Sequence, residues 1–175
     1  MVGVRDHDGG REPAWTGVRV MQLYVDLDGV LADFDSGYAL LTGSRPDKAA
    51  DDVDWKLIRQ TPNFYANLPP MGDMAVLWAR ISRYQPIILT GVPANVPEAA
   101  ANKRAWVERW LPGTFVIPTK SSEKATYARP GDVLIDDWEK YRPLWEKAGG
   151  RWITHVSAID TSDALDKMGL VGGPS

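Results

Sequence analysis

Five short apolar runs, separated by stretches of helical character, constrain this chain more than any other feature. "VMQLYVD" (20–26), "PIILT" (86–90), "FVIPT" (115–119), "DVLID" (132–136) and "RWITHV" (151–156) are continuous and rich in β-branched residues, as strands covered on both faces should be. Between them, "GDMAVLWARISRY" (72–84), "PEAAANKRAWVERWL" (97–111), "SSEKATYA" (121–128) and "WEKYRPLWEKAGG" (138–150) read as helices, the last closed by glycines that suit a helix C-terminus. The alternation predicts an α/β fold: a Rossmann-like, parallel five-stranded sheet with crossover helices.

One interval breaks the rhythm. Residues 35–71 are too many for a single crossover and hold "DDVDWKLIRQTPNFYANLPPM", with aromatics and paired prolines. They predict a small helical cap inserted after the first strand, leaving residues 20–34 and 72–170 as the core. The first 19 residues are rich in glycine and charge without periodicity, and are expected to form a disordered tail.

The strand ends carry the chemistry. Asp26 closes the first run and Asp28 follows two residues on, so both side chains leave on one face. Unpaired carboxylates at the end of a buried strand are expensive, and something must offset them. Open α/β sheets place their ligands at the carboxyl ends of their strands. At those ends stand Thr90 and Gly91, then Lys120 and Lys124 after the third run, then Asp136 and Asp137. Carboxylates gathered in this way repel one another, and a divalent cation that prefers oxygen relieves the repulsion. Mg²⁺ is the expected cofactor. A cation and a lysine together would accept the phosphate of a small anionic substrate.

Composition narrows the alternatives. The chain of 175 residues is 44% hydrophobic, enough for one domain with a packed core. It has no cysteine, and His7 and His155 are its only imidazoles, so a metal must rely on oxygen ligands. A net charge of -3 leaves no broad basic footprint for duplex nucleic acid. No apolar run could span a bilayer and no signal-peptide core opens the chain, so a cytoplasmic protein that does not act at a membrane is expected. A homodimer is the one assembly left open.

"DLDGVLADF", "ILTGVP", the lysine of "SSEKATYA" and "GDVLIDD" resemble, in order and at strand ends, the four motifs of the haloacid dehalogenase-like phosphohydrolases. "DLDGVLADF" with "NKRAWVERWLP" resembles, within that superfamily, the 5'(3')-deoxyribonucleotidases and their small phage and bacterial relatives. The resemblance covers roughly residues 22 to 156. It implies a Mg²⁺-dependent phosphomonoesterase that acts on a nucleoside monophosphate through an aspartyl-phosphate. Asp26 would be the nucleophile and Asp28 the general acid and base. Asp26, Asp137 and the Asp28 backbone carbonyl would hold Mg²⁺, with Asp136 nearby in its second shell. Thr90 and the Gly91 amide would bind phosphate oxygens, Lys124 would neutralise the transferring group, and Lys103 would stand on the phosphate side.

The chain also departs from that pattern. Ser122 replaces an arginine two residues before the motif lysine, "RPG" lengthens the path to the acidic pair, and Trp138 follows that pair. A phosphatase of sugar or other metabolite phosphates is the alternative within the superfamily. Outside it stands a non-catalytic phospho-accepting or phosphate-binding domain. Among the aromatics, Phe34 and Trp55 are expected to contact the leaving group, while Phe64 and Tyr65 belong to the cap's own core. Trp106, Trp110 and Trp145 are expected to be structural.

Overall fold

The computed structural model describes residues 21–47 and 52–170. The tail expected over residues 1–19 therefore lies outside the described residues. Five parallel strands, β1 (Leu23–Val25), β2 (Ile87–Gly91), β3 (Val116–Thr119), β4 (Val133–Asp136) and β5 (Arg151–Thr154), pair in the order β3-β2-β1-β4-β5. In register, Val25 lies opposite Ile88 on one side and Ile135 on the other. β1 and β4 are buried throughout their length, which is why their sequences run apolar without alternation.

Side chains still alternate between the two faces of the sheet. Leu23, Val25, Ile88, Val116, Val133 and Ile135 share one core with Leu77, Trp106, Val107 and Leu165. These come from α3 (Met74–Ile81), α4 (Ala99–Trp110) and α6 (Ala158–Lys167). Tyr24, Leu89, Leu134 and Trp152 face the other way onto Trp145, which belongs to α5 (Arg142–Lys147). The chain thus winds from β1 through β2 to β3 on one side, then returns across β1 to β4. That reversal opens a crevice at the carboxyl ends of β1 and β4, where such sheets bind ligands.

Several expected elements take different bounds. The helix expected over 121–128 is a 3₁₀ helix, Ser121–Tyr127, and that over 138–150 is a 3₁₀ turn, Glu139–Tyr141, followed by α5. α6 lies beyond the last helix read from the sequence; its N-cap Ser157 accepts from the Asp160 amide. Trp110 is 41% exposed although expected to be structural, because it sits in the last turn of α4 beyond the stripe that meets the sheet.

Between β1 and β2 the described cap comprises α1 (Phe34–Thr42), α2 (Trp55–Gln60) and a 3₁₀ turn, Tyr65–Asn67. Asp33 and Asp54 cap the two helices by accepting from the Ser36 and Leu57 amides. The strands into and out of the cap lie side by side: Asp33 N donates to Pro69 O and Met71 N to Leu31 O, both at 2.8 Å. From the core side α4 pins the returning segment, with Trp106 Nε1 donating to Leu68 O at 2.8 Å and Arg109 Nη1 to Ala66 O at 3.2 Å. No helix among the described residues is long and apolar enough to cross a membrane.

Candidate active site

At the crevice the ammonium of Lys124 stands between two carboxylates. Its Nζ lies 2.9 Å from Asp26 Oδ1 and 2.7 Å from Asp136 Oδ2. The 3₁₀ helix Ser121–Tyr127 delivers this lysine inward, and it is only 4% exposed. Lys120, the rival left open by the sequence, is exposed and pairs with Glu123 at 3.0 Å. Burial alone would push the Lys124 ammonium down; Asp26 and Asp136 reverse this and hold it above its usual range.

Carboxylate oxygens of Asp26, Asp136 and Asp137 all lie within 4.8 Å of one another. The loop after β1 is built to receive the last of them. Gly29 adopts φ +77°, and a Cβ there would fall 2.3 Å from Asp137 Oδ2, so only glycine admits that carboxylate. Asp136 spends both oxygens within the protein, accepting from Lys124 Nζ and, at 2.9 Å, from the Trp138 amide. Burial first and the Asp26 charge second raise its carboxyl to about 7, against the pull of Lys124. Three clustered oxygen donors with one lysine between them fit a hard divalent cation.

Asp28 is held from the opposite side by α4. Lys103 Nζ lies 2.6 Å from Asp28 Oδ2, 3.1 Å from Thr90 Oγ1 and 2.5 Å from Gly91 O. It is 1% exposed, and the Tyr65 ring of the cap covers it with its centroid 4.7 Å away. On the helix stripe that it shares with Trp106 and Val107, this lysine ends on a carboxylate. Asp28 Oδ1 is buried and has no partner. Burial, reinforced by Asp26, keeps the Asp28 carboxyl above the ordinary range, with Lys103 opposing.

The remaining expected residues divide. Thr90, fully buried, ends β2 with its Oγ1 accepting from Lys103, which leaves its O–H available as a donor. Gly91 is met closely by Ser121, whose Oγ would lie 2.1 Å from a Cβ built there. Ser121 was not singled out in the sequence, although it opens the motif that ends in Lys124. Phe34 packs against Tyr38, Trp55, Phe64 and Tyr65 at centroid distances of 5.7–6.5 Å. A cleft of about 220 Å³ opens between α2 and the start of α4, lined by Ile58, Arg59, Thr61, Phe64, Glu98 and Asn102 among others. Neither Phe34 nor Trp55 lines it.

No family model matches the chain. Over 120 residues it is 31% identical to a protein of Vibrio phage KVP40 named "Putative 5'(3')-deoxyribonucleotidase". That match covers 67% of this chain and 66% of the phage protein, so the chain spans just under two thirds of that relative's length. Among solved structures, L-2-haloacid dehalogenase from Xanthobacter autotrophicus, with chloropropionic acid covalently bound, aligns at a TM-score of 0.48 and 13% identity, covering 85% of this chain and 83% of that one. The phage relative's name agrees with the resemblance to the haloacid dehalogenase-like phosphohydrolases that the strand-end motifs carry.

Proposed function

We propose that the protein is a Mg²⁺-dependent phosphomonoesterase that works through an aspartyl-phosphate on Asp26, with a nucleoside monophosphate as its substrate. One observation carries the reading: Lys124 bridges Asp26 and Asp136 in the crevice, and two residues after Asp26 a third carboxyl, Asp28, is held by Lys103. An Asp26 oxygen attacks phosphorus as the bond to the leaving oxygen breaks, and the Asp28 carboxyl gives that oxygen its proton. Asp28, now a carboxylate, takes a proton from the water that attacks the aspartyl-phosphate; phosphate leaves and Asp26 is restored. Its raised proton affinity suits the first of these tasks.

Lys124 has three N–H donors and two are spoken for, so one remains for a phosphate oxygen. The Thr90 O–H and the Gly91 amide suit two further oxygens. Mg²⁺, held by Asp26, Asp137 and the Asp28 carbonyl, supplies charge compensation for the anionic ester. The phage relative's name supports the nucleotide as substrate. A panel of nucleoside, sugar and aryl phosphates, with Mg²⁺ and with EDTA, tests the reading. Mg²⁺-dependent release of phosphate with a preference for nucleotides is expected; no turnover of any ester would overturn it.

A further inference from the structure

We infer that Lys103 is a positioning residue for Asp28, and that it does not bind the substrate phosphate. The inference rests on the phosphatase reading and assigns a role within it. An ammonium has three N–H groups. Those of Lys103 meet three protein acceptors, Asp28 Oδ2, Thr90 Oγ1 and Gly91 O, at 2.6, 3.1 and 2.5 Å, while the Tyr65 ring closes the remaining side. No donor is left for a ligand unless one of these bonds breaks. Lys124 differs in this respect, since its two carboxylate partners leave one N–H unassigned.

Lys103 also distinguishes the two oxygens of Asp28. Oδ2 is tied to the ammonium, and Oδ1 is buried without any partner. A carboxyl that must pass a proton to the leaving oxygen needs one oxygen fixed and the other unclaimed, which is the state Lys103 imposes. The lysine itself is immobilised from both sides, by the end of β2 and by the cap, so the carboxyl inherits a single orientation.

The test compares two substrates that differ in their need for an acid. Loss of general-acid positioning should fall on an alkyl phosphate, whose leaving alkoxide must be protonated, and spare p-nitrophenyl phosphate, whose leaving group departs unprotonated. For K103M, kcat on the alkyl ester that the wild-type protein turns over fastest should drop by about 100-fold or more, against less than about fivefold for p-nitrophenyl phosphate. Inhibition by inorganic phosphate should change by less than about threefold. Equal losses on both esters, or a collapse of phosphate inhibition, would overturn the inference by making Lys103 a phosphate ligand. A double-mutant cycle covers a destabilised variant: in a D28N background K103M should cost nothing further on the alkyl ester, whereas additive losses would show a merely structural lysine. If the wild-type protein turns over neither ester, the phosphatase reading fails first and the role of Lys103 falls with it.

Discussion

The Asp137 carboxylate rests against the Cα of Gly29, so closely that a methyl group added there would lie 2.3–2.7 Å from all three carboxyl atoms. With Asp137 in place, the loop after β1 therefore has no room for a side chain at position 29. Gly29→Ala should act twice. The left-handed backbone at φ +77° costs about 1–2 kcal/mol for a residue with a Cβ, and the displaced carboxylate should weaken the cation site. The Mg²⁺ concentration for half-maximal turnover is expected to rise at least tenfold, as it should for Asp137→Asn. A Mg²⁺ titration of activity, beside a thermal melt in EDTA, separates the two effects.

Asp136 makes cation binding depend on pH near neutrality. Burial and the Asp26 charge raise its carboxyl to about 7, far above the ordinary range. A raised acid stabilises the folded chain when protonated, so in EDTA its contribution is fullest below the unfolded value of 3.8 and is lost as pH rises through about 7. Mg²⁺ works in the opposite sense, because a cradle that keeps its proton is a poorer host for a cation. The rise in Tm on adding Mg²⁺ should be larger at pH 8 than at pH 6. Asp136→Asn should flatten that difference; an equal rise at both pH values in the wild-type protein would contradict it.

Lys124 should matter for folding as well as for turnover. It is the buried cation between Asp26 and Asp136, and Lys124→Met leaves two carboxylates facing each other without it. Breaking a buried pair in this way costs about 3–5 kcal/mol, measurable by urea denaturation in EDTA. Adding Asp136→Asn should return part of that stability while leaving turnover absent.

The sequence made the sheet and its reactive rim legible because both rest on local signals. Apolar runs mark the strands, and Asp26, Asp28, Thr90, Lys124, Asp136 and Asp137 each stand at a strand end or just after one, so the parallel topology alone brings them together. Choosing Lys124 over Lys120 needed the 3₁₀ helix, which carries Lys124 inward while Lys120 stays at its extended, exposed N-cap. Lys103 shows what the pattern hides. Its place on the apolar stripe of α4 is visible, but its partner Asp28 lies 75 positions away and its aromatic cover belongs to the cap. Cap geometry was least legible, since short helices joined by irregular segments leave no period from which to read which rings face inward.

That gap bears on substrate choice. Phe34 and Trp55 are expected to touch the leaving group, and the structure sets the half-buried Phe34 against the rings of Tyr38, Trp55, Phe64 and Tyr65. The cleft between α2 and α4 is lined instead by Phe64, Thr61 and Asn102. Asn102 lies buried on the wall of that cleft, and its amide both donates and accepts, as a nucleobase edge would require. Phe34→Ala should cost stability, about 1–3 kcal/mol for a half-buried ring, and lower activity on nucleotides and on p-nitrophenyl phosphate alike. Asn102→Ala should do the reverse. With Tm nearly unchanged, KM for nucleoside monophosphates should rise roughly three- to tenfold, the equivalent of one lost hydrogen bond, while p-nitrophenyl phosphate, which has no base to place in the cleft, keeps its kinetics. Equal effects of Asn102→Ala on both substrates would mean that the cleft does not hold the leaving group.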